Sequence, residues 1–154
     1  MALNTETALK LVESIQSFHQ VLKCVSHAGL RPGQPGLGPL AVLERIERSE
    51  PARAVDVAKG LGIGPAALSR HVAELESSAL VLRGPDPDDA RAQLLRLSDA
   101  GRDAVAAARD RRVEVLVRLL DGWDEARALD ATGLLDDLAL HLRDGLRTSR
   151  EEQA

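Results

Sequence analysis

The turn formed by Gly62, Ile63, Gly64 and Pro65 constrains the fold more than any other feature of the sequence. A glycine pair of this kind punctuates helices, and a proline is favoured at the first position of the helix that follows. Apolar periodicity predicts one helix from about Val55 to Leu61 and a second from Pro65 to about Ser78. The sequence therefore predicts two short helices joined by a tight turn.

The second of these helices has two distinct faces. Its apolar residues Leu68, Val72 and Leu75 recur at spacings of four and three, which places them on one buried side. The small, polar or charged residues lie opposite or on the flank: Ala66, Ser69, Arg70, Ala73 and Ser77. We therefore expect the second helix to present a polar face rich in small side chains to solvent.

A hairpin is predicted directly after this helix pair. Two apolar runs, Leu80 to Arg83 and Gln93 to Leu97, are separated by a segment rich in Gly, Pro and Asp. Ser98 is a suitable N-cap for the helix that follows, which is predicted to reach about Leu120. Two short helices followed by a hairpin are typical of a winged helix-turn-helix, so the predicted fold class is mainly α with a two-stranded β-hairpin wing.

Further helices are predicted on both sides of this arrangement. The first runs from about Leu3 to His27, and its seam of apolar residues suits packing on its own domain and packing on a second subunit equally well. A short helix from Leu37 to about Arg48 follows, and a last helix runs from an Asp124 cap to about Arg147. The remaining seven residues are predicted to be a frayed tail.

Composition sets limits on the function. The 154 residues suit a single structural unit, and charged residues interrupt every apolar stretch well before membrane-spanning length. A single cysteine agrees with a reducing compartment, so we expect a cytoplasmic protein. The net charge is −4, and residues 51–103 contain seven Arg or Lys against eight Asp or Glu. Any affinity for nucleic acid must therefore come from the placement of a few arginines.

Three stretches together resemble the multiple-antibiotic-resistance regulator (MarR) family. Residues 57–76 are similar to its helix-turn-helix, residues 86–91 to its wing with the Asp-x-Arg element, and residues 97–102 to the start of its next helix. The sequence departs from the family pattern at Val55 and Gly64, where a capping side chain is common, and at Ala90, which replaces a frequent wing arginine. Fewer caps and one fewer wing arginine weaken the case for DNA affinity but not for the fold.

The resemblance implies a homodimer that binds double-stranded DNA at a pseudo-palindromic operator and responds to a small-molecule effector. Residues 1–36 and 104–154 would then be dimerisation helices, and residues 37–103 the winged helix-turn-helix domain. The helix after the turn would enter the major groove and the wing the neighbouring minor groove. The DNA-contacting residues that the resemblance implies are Pro65, Ala66, Ser69, Arg70 and, on the wing, Arg91, with Asp89 supporting the guanidinium of Arg91.

Other functions remain as alternatives. Cys24 could act as a redox-sensing thiol, as in one branch of the family, but the chain lacks the tyrosines that this branch uses, so a buried and inert thiol is the preferred interpretation. A dimeric interaction module without DNA binding is the second alternative. His19, Cys24 and His27 do not supply the usual set of metal ligands. No catalytic motif is present, so we expect no enzyme, metal or cofactor, and an effector pocket that is aliphatic and lined by the first, second and fifth helices.

Overall fold

The computed structural model describes residues 3–28, 30, 33–89 and 92–151. Within these residues the chain forms six helices and three short strands. In chain order they are α1 (Thr5–Ala28), α2 (Leu37–Glu47), β1 (Ala52–Arg53), α3 (Ala54–Leu61), α4 (Pro65–Ser77), β2 (Val81–Pro85), β3 (Gln93–Leu97), α5 (Asp99–Leu119) and α6 (Glu125–Glu151). The predicted mainly α fold with a winged helix-turn-helix is confirmed.

The wing belongs to a sheet of three strands, where the sequence predicted two. The antiparallel order is β1-β3-β2, with Ala52 opposite Leu95 and Val81 opposite Leu97. The strand β1 contains only two residues. A segment of this length carries no alternation of apolar and polar residues, so its pairing with β3 could not be predicted from the sequence.

The core is built around α2. Val42, Leu43 and Ile46 on this helix have no solvent exposure. They pack with buried residues of α3, α4, the sheet and the first half of α5, among them Val57, Leu75, Leu95 and Val105. Burial of branched aliphatic side chains contributes about 1.5–3 kcal/mol each, so α2 is the element on which the rest of the winged domain depends.

The chain divides into two compact units, the first ending at Leu116 within α5 and the second containing the end of α5 and all of α6. In the second unit Asp124 Oδ1 accepts a hydrogen bond from the amide of Arg127 at 2.8 Å, which confirms the predicted cap. The prediction of a frayed tail is wrong for Thr148–Glu151, which continue α6. None of the described helices is both long enough and apolar enough to cross a membrane.

The junction between the wing and α5 depends on Ser98 and Gly101. The Ser98 hydroxyl accepts a hydrogen bond from the amide of Gly101 at 3.0 Å and donates one to the carbonyl of Ala79 at 2.7 Å. The amide of Ser98 donates to the carbonyl of Leu80 at 3.1 Å. Gly101 then lies so close to Leu80 that a Cβ at this position would overlap the Leu80 carbonyl oxygen.

We therefore predict that Gly101→Ala destabilises the protein. The obstructing atom belongs to the backbone and cannot rotate away, so the cost should be about 1–3 kcal/mol or more, as for other overpacked sites. The measurement is urea unfolding followed by circular dichroism. The control is Gly84→Ala on β2, where an added Cβ would meet nothing within 4 Å. Equal stability of the two variants would contradict the prediction.

Candidate nucleic-acid interface

The predicted turn between α3 and α4 is present. Gly62 adopts a left-handed conformation with φ of 66°, which glycine reaches without steric cost. The amide of Ile63 donates to the carbonyl of Ala58 at 3.1 Å and so closes the end of α3. Gly64 is extended and precedes Pro65, the first residue of α4. The turn therefore sets the direction in which α4 leaves α3.

The two faces of α4 are those that the periodicity predicts. Leu68, Val72 and Leu75 are buried in the core. The residues predicted for the opposite face are all exposed, as is Pro65 at the start of the helix: Pro65, Ala66, Ser69, Arg70, Ala73 and Ser77. We call this surface the α4 face. Most side chains of this face are small, so another molecule can approach the backbone of the helix closely.

The N-terminus of α4 has no side-chain cap. The first amides of a helix have no acceptor within it, and together with the helix dipole they attract anions. A side-chain cap is also lacking at Arg53, which precedes α3. The absence of caps, read in the sequence as a weakness for DNA affinity, therefore leaves backbone donors at the start of α4.

Asp86 fixes the base of the wing. Its carboxylate accepts hydrogen bonds from Arg53 Nε at 2.6 Å and from the amide of Asp88 at 2.9 Å, and its side chain is only 3% exposed. The amide bond from Asp88 and the neighbouring Arg53 guanidinium lower the pKa of Asp86 below its ordinary value. The hydrogen bond to Asp86 and the negative charge of this carboxylate raise the pKa of Arg53. This carboxylate thus stays ionised and joins the wing to the start of α3.

The wing tip is described only in part. Asp89 is exposed, and its carbonyl accepts a hydrogen bond from the amide of Ala92 at 2.9 Å. Arg91 and Ala90 lie outside the described residues, and with them the predicted contact between Asp89 and Arg91. The roles of Asp89 and Arg91 therefore remain predictions.

A second ion pair connects the wing to α4. Arg83 Nε donates to Glu76 Oε1 at 2.7 Å, and Arg83 Nη1 donates to Gln93 Oε1 at 3.1 Å. Arg83 is thus a partnered strand residue. Arg96 is exposed on the neighbouring strand. Because Arg83 is engaged, the wing and the C-terminal half of α4 hold each other in place.

The basic residues of the winged domain fall into two groups. Arg53, Arg83 and Arg102 are paired with acidic side chains. By contrast, Arg45, Arg48, Lys59, Arg70 and Arg96 form no ion pair in the part of the chain that the structure describes, and all of these except the half-buried Arg45 are exposed. The charge of a paired guanidinium is largely neutralised by its carboxylate. The positive charge that is available to a binding partner therefore lies with the residues that form no ion pair.

Three ion pairs, including that of Arg102, join α2 and the residues just after it to α5. None of them was predicted from the sequence. They join Glu50 to Arg102 at 2.8 Å, Glu47 to Arg109 at 2.9 Å and Glu44 to Arg112. The order of the pairs shows that α5 runs antiparallel to this part of the chain. Every partner lies more than 50 residues away in sequence, so local spacing carried no signal of the pairing.

A small cavity lies beside these ion pairs, where α2, α5 and the end of α1 meet; we call it the α2–α5 cavity. Its volume is about 40 Å³. Its lining has no aromatic ring, as expected, but combines aliphatic with polar side chains: Ser26, Leu30, Gln34, Pro35, Leu37, Leu40, Ala104, Ala108, Arg111 and Arg112. Two polar atoms of this lining are buried without a hydrogen-bond partner, Gln34 Oε1 and Arg111 Nε. They offer one acceptor and one donor to a bound molecule.

Cys24 is exposed on α1 in this chain, so the preferred interpretation of a buried thiol is wrong. The nearby His27 ring contacts the carbonyl of Lys23 at 2.8 Å. Among the described residues no three His, Cys, Asp or Glu side chains are grouped so as to hold a metal ion.

Comparison with known sequences identifies the winged segment. Residues 38–92 match the profile of the MarR family. The chain is 24% identical over 122 residues to YxaD, an HTH-type transcriptional regulator of Bacillus subtilis (strain 168); this match covers 79% of the chain and 85% of YxaD.

Comparison with solved structures gives the same fold over nearly the whole chain. A MarR family protein from Bacillus stearothermophilus superimposes with a TM-score of 0.79 at 17% identity, covering 92% of this chain and 99% of the other. BpsR of Bordetella bronchiseptica, whose DNA binding is regulated by 6-hydroxynicotinic acid, gives a TM-score of 0.68 at 18% identity over 84% and 98%.

The contacts of Asp86 generate a prediction with a defined pH dependence. Since its pKa is lowered in the folded chain, ionised Asp86 stabilises the fold above the unfolded pKa of about 3.9, and this contribution is lost as pH falls through the folded value. Asp86→Asn should lower the thermal unfolding midpoint at pH 7, and the difference from the parent should shrink below about pH 4. The control is Asp88→Asn, an exposed neighbour that contributes its backbone amide. A difference that is constant down to pH 2 would contradict this account.

Proposed function

Because this chain belongs to the MarR family of winged helix-turn-helix transcriptional regulators, we propose that it binds a pseudo-palindromic operator in duplex DNA as a homodimer and responds to a small-molecule effector. The observation that carries the proposal is the α4 face, on which an unpaired arginine stands among small side chains beside an uncapped helix start. Duplex DNA suits such a surface, because the amides at the helix start can bind a phosphate and the arginine can reach a base edge.

The α4 face fits the major groove of B-DNA, which is wide enough to admit a helix. Ala66 and Ser69 allow the backbone to come close to the base edges, and the amides at the start of α4 can bind a phosphate. Arg70 extends from the same face and can donate two hydrogen bonds to a guanine. We assign base reading to Arg70 and backbone positioning to the helix start, including Pro65.

The wing supplies the second contact. Its base is held by Asp86 and Arg53 and its flank by Arg83 and Glu76. We assign Arg91 at this tip to the neighbouring minor groove, where an arginine contributes charge with little base information. Asp89 would orient its guanidinium.

Electrostatics favour a small number of contacts for each subunit. The winged domain has no excess of basic residues, and three of its arginines are neutralised by ion pairs. Of the basic residues without an ion pair, we assign Lys59, Arg70 and Arg96 to DNA, together with Arg91 at the wing tip. A dimer would double each contact, which raises affinity without making either subunit basic.

Dimerisation is supported by apolar surface that α1 and α6 leave exposed. Along α1, Leu11, Ile15, Phe18 and Leu22 are each 39–46% exposed and share one side of the helix. In the second unit, Leu135, Leu142 and Leu146 of α6 are 48–62% exposed. Exposed apolar stripes of this kind indicate a protein interface. We therefore assign residues 1–36 and 104–154 to the dimer contact.

The effector would bind in the α2–α5 cavity. Unpartnered Gln34 Oε1 and Arg111 Nε suit a small organic acid that also carries a donor group, while Leu30, Leu37 and Leu40 suit its apolar part. The regulation of BpsR by 6-hydroxynicotinic acid is a precedent among proteins of this fold.

The DNA contacts lead to different predictions for two arginines. Arg70→Ala should remove about 1–3 kcal/mol of discrimination and relax base preference at one position in each half-site. Arg91→Ala should weaken binding to many sequences and reduce the salt dependence by about one unit per subunit. The measurement is fluorescence anisotropy over a salt series, on a duplex that the parent selects from a random pool and on a scrambled duplex.

The control is Arg53→Lys, which changes a basic residue that is engaged with Asp86 and should keep the parent's base preference. If Arg70→Ala and Arg91→Ala both match the parent on the two duplexes, the groove assignment is wrong. A parent that binds neither duplex at low salt would favour the interaction module instead.

The assembly can be tested at Phe18. Phe18→Asp places a charge in the exposed apolar stripe of α1, and the buried charge should dissociate a dimer while a single chain, in which Phe18 is 46% exposed, stays folded. Sedimentation velocity should show dimer for the parent and monomer for the variant. Gln16→Asp, which adds the same charge at an exposed position beside the stripe, should remain dimeric. A parent that sediments as a monomer would contradict the assignment.

A further inference from the structure

A cleft of about 350 Å³ lies at the base of the wing and shares no lining residue with the α2–α5 cavity. It lies between Arg45 of α2, Ser49 just after this helix, Asp56 of α3, and Pro87 and Asp88 of the wing. We call it the wing-base cleft. Its volume falls within the range of small-molecule sites, about 300–1,000 Å³.

Arg45 brings a guanidinium without a counter-ion to this cleft. The residue is half-buried, and its Nε is shielded from solvent and has no hydrogen-bond partner. Among the described residues Arg45 also forms no ion pair, although three carboxylates line the same cleft. Buried donors are normally satisfied, and a carboxylate matches the fork of a guanidinium. Arg45 is therefore suited to an acceptor from outside the chain.

Gly60 of α3 determines the position of this guanidinium. A Cβ at position 60 would overlap Nε of Arg45 and would lie 2.7 Å from its Cζ. Arg45 thus lies across the backbone of α3, where only a glycine leaves room for it. Glycine is less favourable than alanine inside a helix, so the missing side chain has a local cost and a local use. It holds a charged donor in place at the cleft.

The charges of the lining favour a zwitterion over a simple anion. Two arginines and three aspartates line the cleft. Asp86 is already bound by Arg53 and by the amide of Asp88. The carboxylates of Asp56 and Asp88 are exposed and form no ion pair within the described part of the chain. The excess of negative charge would repel a lone carboxylate, whereas an ammonium group on the same molecule would be attracted to Asp56 and Asp88.

We propose that the wing-base cleft binds a small aliphatic zwitterion, with its carboxylate on Arg45 and its ammonium group on Asp56 and Asp88. Pro51 and Leu94, which also line the cleft, contact its aliphatic part. The bound molecule joins α2 and α3 to the base of the wing. This site is separate from the proposed effector cavity, and the inference does not depend on DNA binding.

The test is a titration of the isotope-labelled full chain with L-leucine, without DNA, followed by amide chemical shifts. The shifts should saturate and should be largest at Ser49, Asp56 and Asp88. Isocaproate, which lacks the ammonium group, and isoamylamine, which lacks the carboxylate, should each bind about tenfold more weakly or worse. No saturable shift, shifts confined to Leu37 and Ala108 of the α2–α5 cavity, or equal affinity for an analogue would overturn the inference.

Two variants test the assigned contacts. Gly60→Ala displaces the guanidinium but favours the helix, so the chain should stay folded while L-leucine binds about tenfold more weakly. Asp56→Asn should weaken binding of L-leucine and strengthen binding of isocaproate, since it removes one negative charge from the cleft.

The matched controls lie outside the cleft. Gly133→Ala changes a glycine inside α6 that has open space around it, and Asp110→Asn changes an exposed carboxylate of α5. Both should leave the affinity for L-leucine unchanged. Parent-like affinity in Gly60→Ala or in Asp56→Asn would contradict the assigned contacts. Because no step involves DNA, these outcomes are independent of the proposed function.

Discussion

The burial of the apolar side of α2 is the constraint on which the winged domain depends. Val42, Leu43 and Ile46 are shielded completely, and α3, α4 and β3 all pack against this helix. Glu44 and Glu47 of α2, and Glu50 just after it, form ion pairs with three arginines of α5. The helix α2 therefore contacts α3, α4 and α5.

Ion pairs between acidic residues and arginines make the acidic composition compatible with DNA binding. In the winged domain, acids at Asp86, Glu76 and Glu50 each bind an arginine and hold a structural junction together. Their negative charge is consequently neutralised close to its source, while Arg70 stays unpaired on α4 among the described residues. Net charge alone would have argued against a nucleic-acid partner. The positions of individual charged residues are therefore more informative about a nucleic-acid partner than the net charge of the chain.

Local chemistry was predictable from the sequence, and contacts between distant segments were not. The two faces of α4 and the caps at Ser98 and Asp124 follow from spacing within a few residues. The pair of Arg53 with Asp86 joins residues 33 apart, and no periodicity links them. The helical end of α6 was missed because residues at the end of a chain are commonly frayed. The hydroxyls of Thr148 and Ser149 instead donate to carbonyls four residues earlier, at 3.1 and 2.9 Å, which is compatible with a continuing helix.

The central claim is that the chain binds duplex DNA through charges placed on each of two subunits. The most direct test is the affinity of the unmodified protein for a random-sequence duplex across a series of salt concentrations, because phosphate contacts require no particular operator. The account predicts measurable binding at low salt, with the logarithm of the association constant falling linearly as the logarithm of salt concentration rises. Absence of binding at the lowest salt concentration, with the protein folded and dimeric, would contradict it.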